Sequence, residues 1–355
     1  MRVVAIEEHF RSAAARTVPP SGGFSASAAS PAGPMAARLA KLDDLGVGRL
    51  ADMDAAGIDL QVISHNVGTL ESLDSPQAVS FARQSNDELA EAVAAHPDRF
   101  AGFASLPTID PRAAAQELER AVGELGFKGA LVNGHIRGRF LDHPDFWPIF
   151  EAAEGLSVPI YLHPTEPPAP VRAAYYEGLS PEASQMLATA GWGWHIETGL
   201  HSLRLILGGV FDRFDGLSMI IGHMGEAVPF MLARSARQLN AAARLPHGVE
   251  EYFDRHFHVT TSGLFTLPPM LCLLLVVGAD RIIFSVDYPF SSNEDGKAFL
   301  DQLPVSPADK EKIAHGNVDR LLRLDERPKP PPPPPPDFHP GRPRPIEGVG
   351  TSTAG

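Results

Sequence analysis

The chain has 355 residues, enough for one large domain or two ordinary ones, and 44% of them are hydrophobic, as in a globular protein. A formal charge of −13 argues against nucleic acid and acidic membrane surfaces as partners. The single cysteine, Cys272, has no intramolecular disulfide partner, which fits a reducing, cytoplasmic setting.

The chain opens with Val3-Val4-Ala5-Ile6, which reads as a short buried strand and runs into Glu7-Glu8-His9. Glu7 and Glu8 interrupt the place where the apolar stretch of a secretory signal would lie. Strand side chains alternate between faces, so Glu7 and His9 are expected on one side and Glu8 on the other. Residues 11–36, rich in Ala, Ser, Pro and Gly, read as a long loop that a ligand or neighbouring subunit would order. A helix is expected over 37–56, a second strand over 59–64 ending in His65-Asn66, and a helix over 75–95 with Pro97 just past its end. A third strand (100–104), a helix over 111–125 closed by Gly126, a fourth strand (128–132) and a helix over 144–153 follow. The fifth strand, 158–162, ends at His163. A long helix over 191–210 leads to a sixth strand, 217–221, ending at His223. Next come a helix over 227–244, a seventh strand (256–260) and a helix over 268–277. The run Leu267 to Ala279 is apolar, but its 13 residues are too few to span a bilayer. An eighth strand, 281–285, leads to Asp287, and a last helix covers 307–324. The prolines at 330–336 and the Gly, Ser, Thr and Pro beyond them predict a polyproline stretch and a disordered tail over 326–355.

Short, uninterrupted apolar strands are buried on both faces, as parallel strands are. Eight such strands alternating with helices predict an α/β fold, a (β/α)₈ TIM barrel, over residues 1–325. An open doubly wound sheet is the alternative, but no Gly-rich dinucleotide fingerprint follows any strand.

Barrel enzymes carry their chemistry at the carboxyl ends of the strands. Here those ends hold Glu7, His9, His163, His223 and Asp287. One histidine at such a place is commonly a packed polar residue. Five ligand-type side chains around one mouth are hard to explain by packing and point to a metal site. The mixed nitrogen and oxygen set suits Zn²⁺ or Mn²⁺ better than a thiolate-seeking metal or Ca²⁺. His195 and His201, on a helix with Trp192 and Trp194, read as packing residues. His256 and His258 alternate on the seventh strand and would place imidazole near the barrel bottom.

Glu7-x-His9, Tyr161-Leu162-His163-Pro164, Ile221-Gly222-His223-Met224-Gly225-Glu226 and Phe284-Ser285-Val286-Asp287-Tyr288-Pro289-Phe290 resemble the amidohydrolase superfamily. Within it they are most similar to the non-oxidative aromatic decarboxylases of the resorcylate type, with the aminocarboxymuconate-semialdehyde decarboxylases as a near branch. Further similar segments are Gly102–Pro107, Thr260–Gly263 and Ile313–Asn317. The resemblance implies an amidohydrolase-type barrel in which Glu7, His9, His163 and Asp287 hold one divalent ion. His223 would sit just beyond the ion, oriented by Glu226 if the strand runs directly into a helix. Arg234 matches the position of a substrate-side arginine; the competing reading is an ordinary surface arginine. A dimer or tetramer is implied in the same way.

Loss of CO₂ from a small aromatic acid requires protonation of the ring carbon that bears the carboxylate, so the site needs an acid over the ring and a cation at its oxygens. Asp287 is the expected proton donor, with the His223–Glu226 pair as the competing relay. The loops after strands 1 and 2 should set the substrate. The first has Phe24 as its only aromatic residue, and the second carries His65 and Asn66, read as substrate contacts. Leu264 stands where a polar or aromatic residue is expected. Two other functions stay open: a metal-dependent hydrolase of a lactone, ester or amide, and a catalytically silent binding barrel.

Overall fold

The computed structural model describes residues 1–18, 34–66 and 68–325. Phe24, most of the Ala/Ser/Pro-rich segment and the proline-rich tail lie outside the described residues.

Among the described residues, nine short parallel strands form the centre: β1 Val4–Phe10, β2 Leu60–His65, β3 Phe100–Gly102, β4 Ala104–Ser105, β5 Ala130–Asn133, β6 Ile160–His163, β7 Met219–Ile221, β8 Phe257–Thr260 and β9 Ile282–Ile283. β3 and β4 are two halves of one expected strand, split at Phe103. The Phe103 N–H donates back to the Ile63 carbonyl, whereas the Ala104 N–H donates forward to Gly129. Otherwise each strand pairs with the next in chain order, and a parallel bridge between Ile6 and Ser285 returns the last strand to the first. This is the expected (β/α)₈ arrangement, with its ladder interrupted at Phe103 and reduced to one bridge at the seam.

Alternation sorts the strand side chains into two apolar layers. Val4, Ile6, Val62, Phe103, Tyr161, Ile220 and Ile283 fill the interior, and Val318 and Leu322 of helix Asn317–Leu322 plug its lower end. Ala5, Ile63, Val132, Leu162, Ile221 and Val259 point outward against Leu118, Phe150, Phe211 and Phe253 of the helical layer.

Two expected helical regions differ in detail, and four further helices are present among the described residues. The helix over 37–56 is two helices, Pro34–Leu42 and Val47–Ala56, separated by a turn in which the Asp44 carboxylate accepts the Gly46 N–H (2.7 Å). The last helix breaks into Pro307–Glu311, a wide turn over Lys312–Gly316 and Asn317–Leu322; the Ile313 carbonyl in that turn accepts the Phe284 N–H. Helices Ala169–Tyr175, Pro181–Ala188, Val249–His256 and Asn293–Gln302 were not anticipated.

Candidate metal centre

The end of β1 sets the site. Ile6 pairs with Val62 and Glu8 with Ile63, so Glu7 is an extra residue, a bulge, with φ of 64°. Val4 and Ile6 face the interior, and plain alternation would therefore turn Glu7 outward. The bulge turns it back in, and leaves Glu8 out and His9 in. The expected orientation of the Glu-x-His pair is thus reached by a different route. A left-handed backbone at a non-glycine residue costs roughly 1–2 kcal/mol, and Asp287 (φ 69°), His223 (48°) and Glu226 (53°) share it. Such strain collects where surrounding structure holds functional groups in place.

Glu7 is fully buried. The hydroxyls of Tyr161 and Ser262 donate to its Oε2. Burial pushes its carboxyl pKa up. A Cβ at position 222 would lie 2.9 Å from that Oε2 and 3.0 Å from the Tyr161 hydroxyl, so glycine is required there. Glu7 Oε1 and His9 Nε2 are both buried without a hydrogen-bond partner among the described residues. His163 Nε2 stands 3.5 Å from Glu7 Oε1, and His9 Nε2 stands 3.2 Å from Asp287 Oδ1. Ligand atoms of Glu7, His9 and His163 all lie within 4.8 Å of one another. The Pro164 carbonyl accepts from His163 Nδ1 (2.8 Å), which leaves Nε2 as the free lone pair. Burial, reinforced by His9 and His223, lowers the His163 pKa to about 3, so the ring is neutral as a ligand must be. Burial alone would raise the Asp287 carboxyl; the adjacent imidazoles of His223 and His9 outweigh it and hold the group well below the usual carboxylate range.

Orphaned buried polar atoms cost free energy, and these converge with a second imidazole and a second carboxylate. The set of two nitrogens and two oxygens fits a divalent ion.

β7 does not run directly into a helix. His223, Met224, Glu226 and Ala227 form left-handed turns, and the helix starts only at Val228. Glu226 reaches His223 through those turns: its Oε1 lies 2.7 Å from His223 Nδ1. Its Oε2 lies 2.6 Å from His195 Nδ1, and the two imidazoles stand 4.6 Å apart. The reading of His195 as a packing residue is therefore corrected: one carboxylate bridges two histidines at the cavity wall. Burial opposes ionisation of Glu226, but His223 and His195 outweigh it and hold its pKa to about 2. Burial likewise opposes the charged form of His223, yet Glu226 and Glu7 raise its pKa well above the ordinary value.

Glu8, on the outer face, accepts the N–H groups of Val286 (2.9 Å) and Tyr288 (3.0 Å), the two neighbours of Asp287. Fully buried Arg49 donates to the His9 carbonyl (2.5 Å) and lies over the Tyr288 ring (4.8 Å). This clamp holds the strand ends that carry His9 and Asp287. Glu8→Ala would orphan two buried N–H groups at about 1–3 kcal/mol each. Urea unfolding should show about 2–4 kcal/mol lost, with reduced metal content; wild-type stability would rule the clamp out.

A cavity of about 450 Å³ opens over these groups, lined by His9, His163, His195, His223 and Asp287. Its outer wall comes from Arg38, Met186, Trp194, Leu264 and Phe290. Arg38 lies 5.3 Å over the Phe290 ring, and among the described residues it pairs with no carboxylate.

Three expected substrate contacts lie elsewhere. His65 faces outward on β2, opposite Phe10. It is buried between Phe10 and Phe81, its Nε2 accepts from Ser12, and its Nδ1 donates to the Asn66 carbonyl. Alternation places Ser64, not His65, toward the site. Asn66 follows outside the cavity lining, and Arg234 is exposed on helix Val228–Ala243. Arg38 was missed because it lies on a helix that begins beyond a long loop. Gln185, Met186 and Thr189 were missed with the helix Pro181–Ala188, although Ser180 caps that helix by accepting the Ala183 N–H.

The chain matches the amidohydrolase family model over residues 12–324. It is 39% identical over 337 residues to a γ-resorcylate decarboxylase of Rhizobium radiobacter, covering 91% of this chain and 99% of the relative. Among solved structures, it is similar to a 2,6-dihydroxybenzoate decarboxylase complexed with 2,6-dihydroxybenzoate (TM-score 0.82, 37% identity, 91% and 99% of the two chains). A dihydroxybenzoic acid decarboxylase from Polaromonas sp. JS666, with bound manganese and the inhibitor 2-nitroresorcinol, is equally similar (TM-score 0.82, 36% identity, 92% and 98%).

Proposed function

The chain belongs to the amidohydrolase family, and on that premise we propose that it is a metal-dependent, non-oxidative decarboxylase of a hydroxybenzoate-like acid. The observation that carries this reading is the pair of orphaned ligand atoms, Glu7 Oε1 and His9 Nε2, facing a cavity that also presents a cationic side chain, Arg38. Full-length similarity to decarboxylases of dihydroxybenzoates supports it.

Glu7, His9, His163 and Asp287 are the proposed ligands of one divalent ion. The manganese in the Polaromonas relative favours Mn²⁺ over Zn²⁺. When bound there, the ion would supply Lewis-acid chemistry for the electron-rich oxygens of an ortho-hydroxybenzoate. Arg38 pairs with the anionic rim of the ring. Asp287, ionised at rest, takes a proton from His223 once substrate is bound and relays it to the ring carbon; a C–H bond forms, and the C–C bond to the carboxylate breaks. Its electron pair restores the aromatic ring and CO₂ leaves, so one proton is consumed per carboxylate. His223, held protonated by Glu226 and Glu7, stands with Nε2 3.9 Å from Asp287 Oδ2 and is the source that reloads it. The test is CO₂ release over a panel of hydroxybenzoates and lactones; lactone hydrolysis without CO₂ would reverse the assignment.

Arg38→Ala removes one charge-assisted contact worth about 1.5–3 kcal/mol. KM should rise roughly 10- to 100-fold with kcat changed much less, and steady-state kinetics with unchanged KM would remove Arg38 from the binding site.

The protein is further read as a homo-oligomer of a reducing compartment. Phe230 (80% exposed) and Leu275 (88% exposed) stand on neighbouring helices, Val228–Ala243 and Leu267–Val277. An apolar face of this kind marks an association surface. Arg234 belongs to this face. Phe230→Glu with Leu275→Glu should shift the species seen by light scattering to monomer; an unchanged mass would place the interface elsewhere. No helix among the described residues is long and apolar enough to cross a membrane.

A further inference from the structure

A second open cavity, of about 350 Å³, lies at the opposite, amino-terminal end of the strands. His258, Arg281, Arg320 and Arg323 line it, with Ser218 and Asn317. His258 is paired with Ile220 across β7 and β8, and Ile220 faces the barrel interior, so this imidazole points inward at the barrel floor. It sits beside the helix Asn317–Leu322 that plugs the barrel.

The charge of this bowl is at odds with the rest of the molecule. The chain has 43 acidic and 30 basic side chains. Yet none of the three arginines forms an ion pair with a carboxylate among the described residues. Arg281 directs a guanidinium N–H toward His258 Nε2 (3.5 Å), Arg320 donates to Asn317 Oδ1 (2.9 Å), and Arg323 to the Ser157 carbonyl (3.4 Å). Nearby acids are engaged elsewhere: Asp280 with Lys312, Asp319 with Arg2 and His315, and Glu154 with the Gly216 N–H. His258 is 8% exposed, and its Nδ1 has no hydrogen-bond partner among the described residues. Burial, with Arg281 and Arg320, lowers its pKa to about 3, so the ring adds no charge but carries an unsatisfied polar atom.

Like charges gathered without an acid repel one another, and a counter-anion relieves that repulsion. Guanidinium forks match the oxygens of phosphate, and a cavity of this volume admits a phosphoryl group with a small substituent. We propose that the bowl formed by His258, Arg281, Arg320 and Arg323 binds an oxyanion of the phosphate class. The site is separate from the chemistry at the mouth and does not depend on it.

The test is calorimetric titration of the manganese-loaded full chain with inorganic phosphate and with glycerol phosphate, against chloride at matched ionic strength. One saturable equivalent per chain is expected. Arg281→Gln with Arg320→Gln should weaken binding at least roughly 10-fold, and the corresponding lysine pair, which keeps the charge but loses the fork, should be intermediate. Circular dichroism and metal content verify that each variant is folded. If the double variant does not fold, Arg320→Gln alone, at an exposed position, should still weaken binding several-fold. Tighter binding of glycerol phosphate assigns the site to a phosphorylated metabolite; equal or weaker binding assigns it to free phosphate. The proposal fails if phosphate gives no saturable heat beyond chloride, or if the glutamine variants bind as wild type does. It also fails if Arg38→Ala abolishes binding, which would put the phosphate at the catalytic mouth.

Discussion

Asp287→Asn is expected to lower turnover by at least about 10³-fold, the scale of a general acid, with further loss from the altered metal environment. The expectation rests on position. Asp287 lies at the end of the last strand, held in a left-handed backbone by the hydrogen bonds that both of its neighbours donate to the Glu8 carboxylate. One carboxylate oxygen lies 3.2 Å from His9 Nε2 and the other 3.9 Å from His223 Nε2. No other carboxylate among the described residues lines that cavity. The carboxamide keeps the shape and loses the transferable proton. Glu7, His9 and His163 remain, so a bound ion should be retained at reduced affinity. Metal analysis beside the rate measurement therefore separates the two effects. Near wild-type turnover in the metal-loaded variant would transfer the proton step to His223, whose Glu226 partner fixes its orientation.

Stripping the divalent ion with a chelator should lower activity by at least about 10³-fold, a barrier increase of about 4 kcal/mol. Added Mn²⁺ should restore it. Without a cation, Glu7, Asp287 and the substrate carboxylate would share one small, poorly solvated space, and their repulsion opposes binding as well as chemistry. Zn²⁺ added in place of Mn²⁺ ranks the two candidate metals by recovered rate. Activity indifferent to chelation, in protein verified as metal-free, would mean that the orphaned atoms of Glu7 and His9 serve some other purpose.

How far these groups could be read from the residue order depended on how local their causes are. His163 and His223 end apolar runs of β6 and β7, so the strand pattern alone carries them to the rim. The barrel followed from the same alternation. Glu7 and His9 were expected to share a face, and they do, but through a bulge that no local residue announces. Its cause is tertiary: Tyr161 and Ser262, far along the chain, hold the carboxylate inward. His195 gave no local signal because its partner, Glu226, is 31 residues away. The substrate side was hardest to read. His65 is one residue past an inward position, and a one-residue step on a strand reverses the face. Arg38 reaches the cavity only because its helix starts after the long loop and returns over the mouth.

The central claim is that these side chains convert a hydroxybenzoate to a phenol and CO₂ with the help of one divalent ion. Its most direct test is mass spectrometry of the headspace over manganese-loaded protein supplied with 2,6-dihydroxybenzoate labelled with ¹³C in the carboxylate. The account predicts labelled CO₂ and resorcinol in equal amounts, abolished by chelation and by Asp287→Asn. Unlabelled headspace over protein that holds its metal and hydrolyses a lactone or ester would contradict it.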